Sequence, residues 1–402
     1  MKILWVKTDF LHPTTRGGQI RTLEMLRELH KRHEVHYIAF DDPLNPEGLK
    51  RSSEYASYSY PVPHKVVPKN SPAFALQLLE GLGSPIPVAG MRYRSAAMRD
   101  TIAKVVSAND FDAKVCDFLF PSINIDDLRT WTLFQHNVES VIWERHAKSG
   151  RTAAHRAYFK LQAKRMFQWE KDVCRAVAQV VAVSETDEQL MRSRFGVEQV
   201  SSIPTGVDVD YFERPRSSSL LYDLVFVGSM DWMPNVDGMR WFLSDVFPLI
   251  RQEKPDCRLA IVGRNPPQAL LDAGKDPQIT VTGTVPDVRP FLWQSALSVV
   301  PLRVGGGTRL KIFEAMAAGT PVVSTTIGAE GLPVRHGETI QIADTAHQFA
   351  AECLQLLAAP HRNQKLAQQA RKLVVDHYSW EQVTKGFERA LLVPKPEHLS
   401  KA

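Results

Sequence analysis

Four cysteines in 402 residues, Cys116, Cys174, Cys257 and Cys353, are too few and too scattered for a disulfide framework. None belongs to a Cys-x-x-Cys pair, so the pattern predicts reduced, packed thiols in a cytosolic protein. Long apolar runs are missing too. No segment approaches the roughly 18 continuous apolar residues of a membrane-spanning helix. The opening MKILWVKTDF holds too short an apolar run for a signal peptide. No basic run is interleaved with aromatics, which leaves nucleic-acid binding without support. Metal-ligand spacing is scarce as well: His30, His33 and His36 straddle a helix end and a strand, and Asp208-Val209-Asp210 lies in a linker passage. These absences predict a cytoplasmic protein without a metal site, with peripheral attachment at the inner membrane face left open.

A chain of 402 residues exceeds one ordinary core and suits two domains of about 200 residues each. Hydrophobic residues at 44% and charged residues at 23% are those of a soluble globular protein. The net charge of +5 is compatible with attraction to a phosphorylated ligand or an anionic membrane face, and proves neither.

The most informative stretch is VPLRVGGGTRLKIFEAMAAGTPVVSTTIGAEG, from Val300 to Gly331. Leu297 to Leu302 reads as a short buried strand. Gly305, Gly306 and Gly307 let the backbone approach a ligand. Thr308 is placed to cap a helix from about Arg309 to Ala318, which Gly319 stops. Thr320 to Thr325 reads as the next parallel strand. A strand, a glycine turn and a helix N-terminus together favour phosphate, because the first helical N–H groups lack partners. Arg309 and Lys311 add two cations, and Glu314, one turn on, can accept from a ribose diol. The plain alternative is a glycine-rich surface loop with a solvated Arg and Lys.

The run Glu314-Ala315-Met316-Ala317-x-Gly319-x-Pro321-Val322-Val323 after a glycine turn resembles the donor-binding signature of family 4, the retaining GT-B glycosyltransferases. One departure stands out: the family usually has a second Glu eight residues earlier, where this chain has Gly306. The resemblance implies two doubly wound Rossmann-like α/β domains facing a cleft. Residues 1–207 would be an N-terminal acceptor-binding domain and 208–378 a nucleotide-sugar domain. Residues 379–402 would form a helix and tail crossing back to the first domain.

Along the chain, Lys2 to Thr8, a loop from Asp9 to Gln19, a helix from Ile20 to Arg32 and a strand from Glu34 to Phe40 open a β–loop–α–β unit. Gly17 and Gly18 sit in that loop; a tight turn explains them equally well, and the resemblance implies that they let substrate reach the backbone, with Arg21 following. Residues 42–110 are broken by proline. A helix from Phe74 to Leu82 and the basic cluster Arg92, Arg94 and Arg99 there face either acceptor or water. His136 follows the strand Thr130–Phe134, at the end where open α/β sheets place ligand contacts, although it fits a structural histidine too. The resemblance gives it a role at the donor sugar, with Glu139 orienting it or capping a helix.

Arg151 to Ala178 is one long helical pattern with a basic flank at Arg156, Lys160, Lys164 and Arg165, suited to an anionic membrane or to plain solvent. The passage Pro204-Thr205-Gly206-Val207-Asp208 resembles the family's inter-domain hinge. In the second half, the strand Asp223–Val227 leads to Gly228 and Ser229, and a helix spans Met233 to Leu249. The family's Arg and Lys near that turn are absent, and Arg309 and Lys311 are the natural substitutes. Thr284, Val285 and Pro286 would flank the base.

The expected activity is therefore that of a retaining glycosyltransferase with a nucleoside-diphosphate sugar as donor, UDP favoured and GDP or ADP open. It would act by front-face transfer without metal or cofactor on a glycan, lipid-linked or small-molecule acceptor. The catalytic set would be His136, Arg309 and Lys311. The donor set would be Gly17, Gly18, Gly228, Ser229, Thr284, Val285, Gly305, Gly306, Gly307, Thr308 and Glu314. The rival readings are a catalytically silent nucleotide-sugar-binding protein, and an epimerase or sugar-phosphate hydrolase on the same fold.

Overall fold

The structure is a computed structural model and describes residues 1–14, 17–64, 71, 81, 83–149, 153–304 and 309–392. The chain divides into two compact units: Met1–Pro204 together with the chain from Val383 on, and Thr205–Gln382.

The first unit has strands β1 (Lys2–Val6), β2 (Glu34–Asp41), β3 (Tyr58–Pro63), β4 (Ala113–Asp117), β5 (Thr132–Phe134), β6 (Gln179–Ala182) and β7 (Val200–Ser202). They form one parallel sheet in the order β3-β2-β1-β4-β5-β6-β7. Ile3, Leu4, Trp5 and Val6 are all inaccessible to solvent, as expected of a parallel strand covered on both faces. The helices are α1 (Gly17–His30), α2 (Ala96–Ser107), α3 (Glu139–Ser149), α4 (Ala153–Ala176) and α5 (Glu185–Phe195). The stripe Leu23, Leu26 and Leu29 buries α1 against the sheet. Ser184 caps α5 by accepting the Asp187 N–H at 3.1 Å, and Gly196 ends it with φ +67°.

The second unit has β8 (Tyr222–Val227), β9 (Leu259–Val262), β10 (Ile279–Val281), β11 (Ser295–Val300), β12 (Val322–Ser324) and β13 (Gln341–Ile342). The sheet is again parallel, in the order β10-β9-β8-β11-β12-β13. Its helices include α6 (Met233–Trp241), α7 (Leu310–Ala317), α8 (Ala346–Ala358) and α9 (Pro360–His377). In both sheets the order reverses beside the first strand, between β1 and β4 and between β8 and β11. Chains leaving those neighbours diverge, which opens a crevice at their carboxyl ends.

The last helix, α10 (Trp380–Leu391), starts with the Ser379 hydroxyl accepting the Gln382 N–H at 3.4 Å. From Val383 on it belongs to the first unit. Phe387 packs on Trp5 and Phe134, with ring centroids 5.6 and 5.1 Å away, and Glu388 accepts from Arg32 and His33.

Several elements differ from the sequence reading. β3 runs through Pro61 and Pro63, because it is an edge strand whose missing N–H groups break no central ladder. The expected helix from Met233 to Leu249 is interrupted by a π turn at Phe242–Val246. Pro248 has no N–H for the Ser244 carbonyl, so the regular ladder cannot continue there. Gly17 and Gly18 are the first residues of α1 instead of part of a loop. The expected helix from Phe74 to Leu82 falls almost wholly outside the described residues. All four cysteines are buried and unpaired.

Two glycines meet at the carboxyl ends of β8 and β9. A Cβ on Gly263, just after β9, would stand 1.9 Å from the Gly228 carbonyl oxygen, just after β8. Overpacking of this kind typically costs 1–3 kcal/mol, so Gly263→Ala is expected to destabilise the second unit by about 2 kcal/mol. Denaturant unfolding checks it: the midpoint of that unit's transition should fall, and an unchanged midpoint would show that the carbonyl moves aside freely.

Candidate functional site

At the crevice of the second sheet, Gly228 ends β8 and has no side chain to occupy the space beside it. Lys311 Nζ and Asn235 Nδ2 fill that space, 2.6 and 2.8 Å from where a Cβ would stand. Lys311, in the first turn of α7, donates to Asn235 Oδ1 at 2.6 Å and lies 4.5 Å over the Phe226 ring. Burial holds its ammonium below the usual lysine range; Glu314 opposes the shift and Arg309 adds to it. Burial likewise raises Glu314 above the usual carboxylate range, against the pull of Lys311. The structure thus brings Gly228, Lys311 and Glu314 together.

Arg309 occupies the N-cap position of α7, one residue later than the Thr308 cap expected, and its side chain makes no cap hydrogen bond. It is 3% exposed, donates through Nη2 to the Ile327 carbonyl at 2.9 Å, and lies 3.8 Å from Glu330. Gly305, Gly306, Gly307 and Thr308 lie outside the described residues. Gly319, with φ +67°, follows the helix end as its composition predicts.

Ser229 takes part in a network between the loops after β8 and β9. Its hydroxyl accepts from Arg264 Nε at 3.1 Å, and Asp231 accepts from Asn265 Nδ2 at 2.8 Å. Thr284 and Val285 follow β10 on the same carboxyl edge, past the left-handed turn at Gly283. Thr284 is exposed, and Val285 packs on the core beneath. In the sheet β9 lies between β10 and β8, which sets these two residues one strand further from Lys311 than Gly228 is.

In the first unit, His136 follows β5 and is nearly buried. Its Nε2 lies 2.6 Å from Asp117 Oδ1, at the carboxyl end of β4. Asp117 is fully buried and also accepts from Lys7 Nζ at 2.8 Å, Trp5 Nε1 at 2.8 Å and Thr22 Oγ1 at 2.7 Å. Burial alone would raise this carboxyl, but Lys7, His136 and the hydrogen bonds hold it well below the usual range. The His136 ring is pushed down to about 4, first by burial and further by Lys7 and Arg21, against the attraction of Asp117. At neutral pH the ring is therefore uncharged. With Nε2–H donating to a carboxylate, Nδ1 is left as an acceptor.

Gly18 lies beside that ring, its missing Cβ 3.8 Å from His136 Nδ1, whereas the Cβ direction at Gly17 opens on empty space. Arg21 is buried, donates through Nη2 to the Ile203 and Pro204 carbonyls, and stacks 4.7 Å over Phe134. Glu139 is buried at the start of α3. Its N–H and that of Ser140 donate to Glu170 of α4 at 2.8 and 2.9 Å, so Glu170 caps this helix. Glu139 is pushed up to about 7 by burial and by Glu170. Its charged and hydrogen-bonding neighbours are Glu170 of α4 and Trp143 of α3. Arg94 and Arg99 are exposed, Arg99 lying 3.7 Å from Asp126, and Arg92 offers its carbonyl to His64.

Asp117, Lys7, Thr22 and Asn235 were not singled out in the sequence. Only the position of Asp117 at a strand's carboxyl end offered a signal. Among the described residues no cluster of three or more His, Cys, Asp or Glu converges as a metal-ligand set. No helix among them is long and apolar enough to cross a membrane.

The buried, neutral His136 predicts a pH signature. Its proton affinity is about 4 in the fold and 6.5 as a free side chain. Between those values the unfolded chain binds a proton that the folded one does not, so acidification destabilises the fold by about 3 kcal/mol at this site. His136→Gln should therefore gain stability relative to the parent as pH falls from 6.5 to 4. Parallel urea titrations across that window check it, and a constant difference would contradict the burial of a neutral ring.

Comparison with known proteins adds the following. The family model described as "Glycosyltransferase Family 4" matches residues 15–211, and "Glycosyl transferases group 1" matches residues 222–359. An uncharacterized 44.6 kDa protein of the cps region of Klebsiella pneumoniae is 25% identical over 170 residues, covering 40% of this chain and 44% of that one. An MMP alpha-(1->4)-mannosyltransferase of Mycolicibacterium hassiacum is 26% identical over 228 residues, 54% of each chain. The chain thus spans about half the length of the curated relatives it matches. Among solved structures, sucrose-phosphate synthase from Thermosynechococcus elongatus superposes with a TM-score of 0.66 at 16% identity, covering 97% of this chain and 98% of that one. HepE of Anabaena, in complex with UDP and glucose, gives 0.66 at 12% identity, covering 98% and 100%.

Proposed function

The chain belongs to the group 1 glycosyl transferases of family 4 and has the two Rossmann-like domains of the GT-B fold, and from that premise we propose that it transfers a sugar from a nucleoside-diphosphate sugar to an acceptor hydroxyl with the anomeric configuration retained. The observation that carries this reading is Lys311 Nζ, held against the Gly228 turn at the strand-order reversal of the second sheet. A diphosphate lying there meets an ammonium, the N-terminus of α7 and, nearby, Arg309.

In this reading the bond between the anomeric carbon and the diphosphate oxygen breaks, and negative charge accumulates on the departing group. Lys311 and Arg309 stabilise that charge more than they stabilise the intact donor, which is what lowers the barrier. The acceptor oxygen forms the new bond on the same face, and its proton passes to the leaving diphosphate. Glu314 accepts from the ribose hydroxyls, and Thr284 and Val285 flank the base. His136, neutral and with Nδ1 as acceptor, takes a hydrogen bond from a hydroxyl of the transferred sugar. The second unit is the donor domain and the first the acceptor domain. UDP is the favoured nucleotide, supported by the ligand of HepE; the acceptor class is a glycan, a lipid-linked sugar or a small molecule.

A catalytically silent nucleotide-sugar-binding protein is favoured by one observation, Gly306 where the family signature has a carboxylate. Incubation with UDP-, GDP- and ADP-sugars separates the two. Nucleotide release that rises with an acceptor, and a product of unchanged anomeric configuration by NMR, support transfer; binding of a donor without turnover supports the silent protein.

Two further outcomes are expected. Lys311→Ala should lower kcat about 10²- to 10³-fold, the usual loss for a group aimed at developing charge; equal activity would remove Lys311 from the site. A diphosphate at Lys311 raises the proton affinity that burial has lowered, so its binding takes up a proton. Affinity for UDP should therefore fall as pH rises above neutrality, and Lys311→Arg should flatten that dependence, as calorimetric titration at several pH values can show.

A further inference from the structure

The first unit holds a cavity of about 590 Å³ among α3, α4 and α5, a volume within the range of ligand pockets. Ala147, Ala157, Ala163 and Phe167 form its apolar wall. Phe167 is fixed from behind by Phe195, edge to face at 5.5 Å, and by Arg194, 5.0 Å over its ring. Glu144, the one carboxylate lining the cavity among the described residues, is already engaged by Arg194.

Lys160 and Lys164 line the same cavity one helical turn apart. Both are exposed, and neither has an ion-pair or hydrogen-bond partner among the described residues. The sequence supplies none nearby: from His146 to Trp169 there is no acidic residue. Like charges at this spacing repel and destabilise a helix. An apolar wall thus ends in two unneutralised ammonium groups, which is complementary to a hydrocarbon chain with an anionic head. Ammonium groups act as compact point charges, and a phosphate monoester carries up to two negative charges near neutral pH, more than a carboxylate offers.

We propose that this cavity binds a single-chain lipid phosphate, its chain against Phe167 and the alanines and its phosphate between Lys160 and Lys164. On the glycosyl-transfer reading, on which this part rests, the site holds the lipid portion of a lipid-linked acceptor.

Calorimetric titration of the full chain with dodecyl phosphate, dodecanol and inorganic phosphate, below the micellar range, tests the binding itself. Dodecyl phosphate should bind at least about tenfold more tightly than either control, since each control lacks one half of the complementarity. Lys160→Glu with Lys164→Glu should weaken it by on the order of tenfold or more. Ala157→Trp, at an exposed wall position, should abolish it by filling the cavity, and both variants should keep the parent's circular dichroism and its affinity for UDP. Equal binding of dodecanol, or dodecyl phosphate binding that survives Ala157→Trp, would overturn the proposal. So would adsorption to phosphatidylglycerol vesicles, unaffected by Ala157→Trp, in a chain that ignores dodecyl phosphate. If Ala157→Trp fails to fold, the lysine pair decides. UDP binding and turnover on a soluble acceptor report separately on the transferase reading, so lipid binding without either would leave this site standing and that reading refuted.

Discussion

An ionised carboxylate with no access to water is the constraint around which the first unit is arranged. Asp117 would be untenable alone, since an unpaired buried charge costs several kcal/mol. Donors from β1, from the residue after it, from α1 and from the second residue after β5 converge on its two oxygens. Removing Lys7 leaves the charge uncompensated and removing any of the others leaves it short of a hydrogen bond, so these elements are held in mutual register by electrostatics as well as by packing. The same contact decides which nitrogen of His136 carries the proton, and hence what kind of partner the ring can accept. Asp117 fixes the ring, and Nδ1 of His136 is turned toward Gly18.

The second unit handles charge differently. Lys311 is held by a neutral amide and an aromatic face, with Glu314 one turn further along and Arg309 opposing it. Where Asp117 is saturated, Lys311 is under-compensated, and burial has weakened its hold on a proton. A saturated charge builds a scaffold; on the proposed reading, the under-compensated one receives the donor's diphosphate. The missing side chain of Gly228 is what leaves room for Lys311 and Asn235 at the end of β8, while Gly263 lets the end of β9 lie against the Gly228 carbonyl.

Most of the strands and helices were legible because a parallel sheet buried on both faces demands apolar runs, and the chain supplies them most clearly at β1 and β9. The exceptions have local causes. β3 escaped notice because proline argues against a strand unless the strand is at an edge, and edge position is a property of the whole sheet. The π turn before Phe247 depends on one missing N–H at Pro248. Within the site, Lys311, Glu314 and Gly228 could be singled out because each belongs to a short contiguous pattern. Asp117 and Asn235 could not. Their partners lie far along the chain, Lys7 110 residues away and Lys311 76 residues away, and only the strand order brings them together. The partners of Arg21 were out of reach for the same reason: the carbonyls it holds belong to residues 203 and 204, a relation no local window contains.

The path of α10 has a consequence for how the molecule can be divided. The chain leaves the first unit near Pro204 and re-enters it at Val383, where Phe387 packs on both Trp5 and Phe134. The second unit is therefore an insertion within the first in the topological sense, joined by two strands of chain instead of one. A single proteolytic nick at either junction leaves the halves tethered, and a fragment ending before Val383 would expose the aromatic surface that Phe387 covers. Independent production of the first unit calls for a graft of its final helix, not a simple truncation.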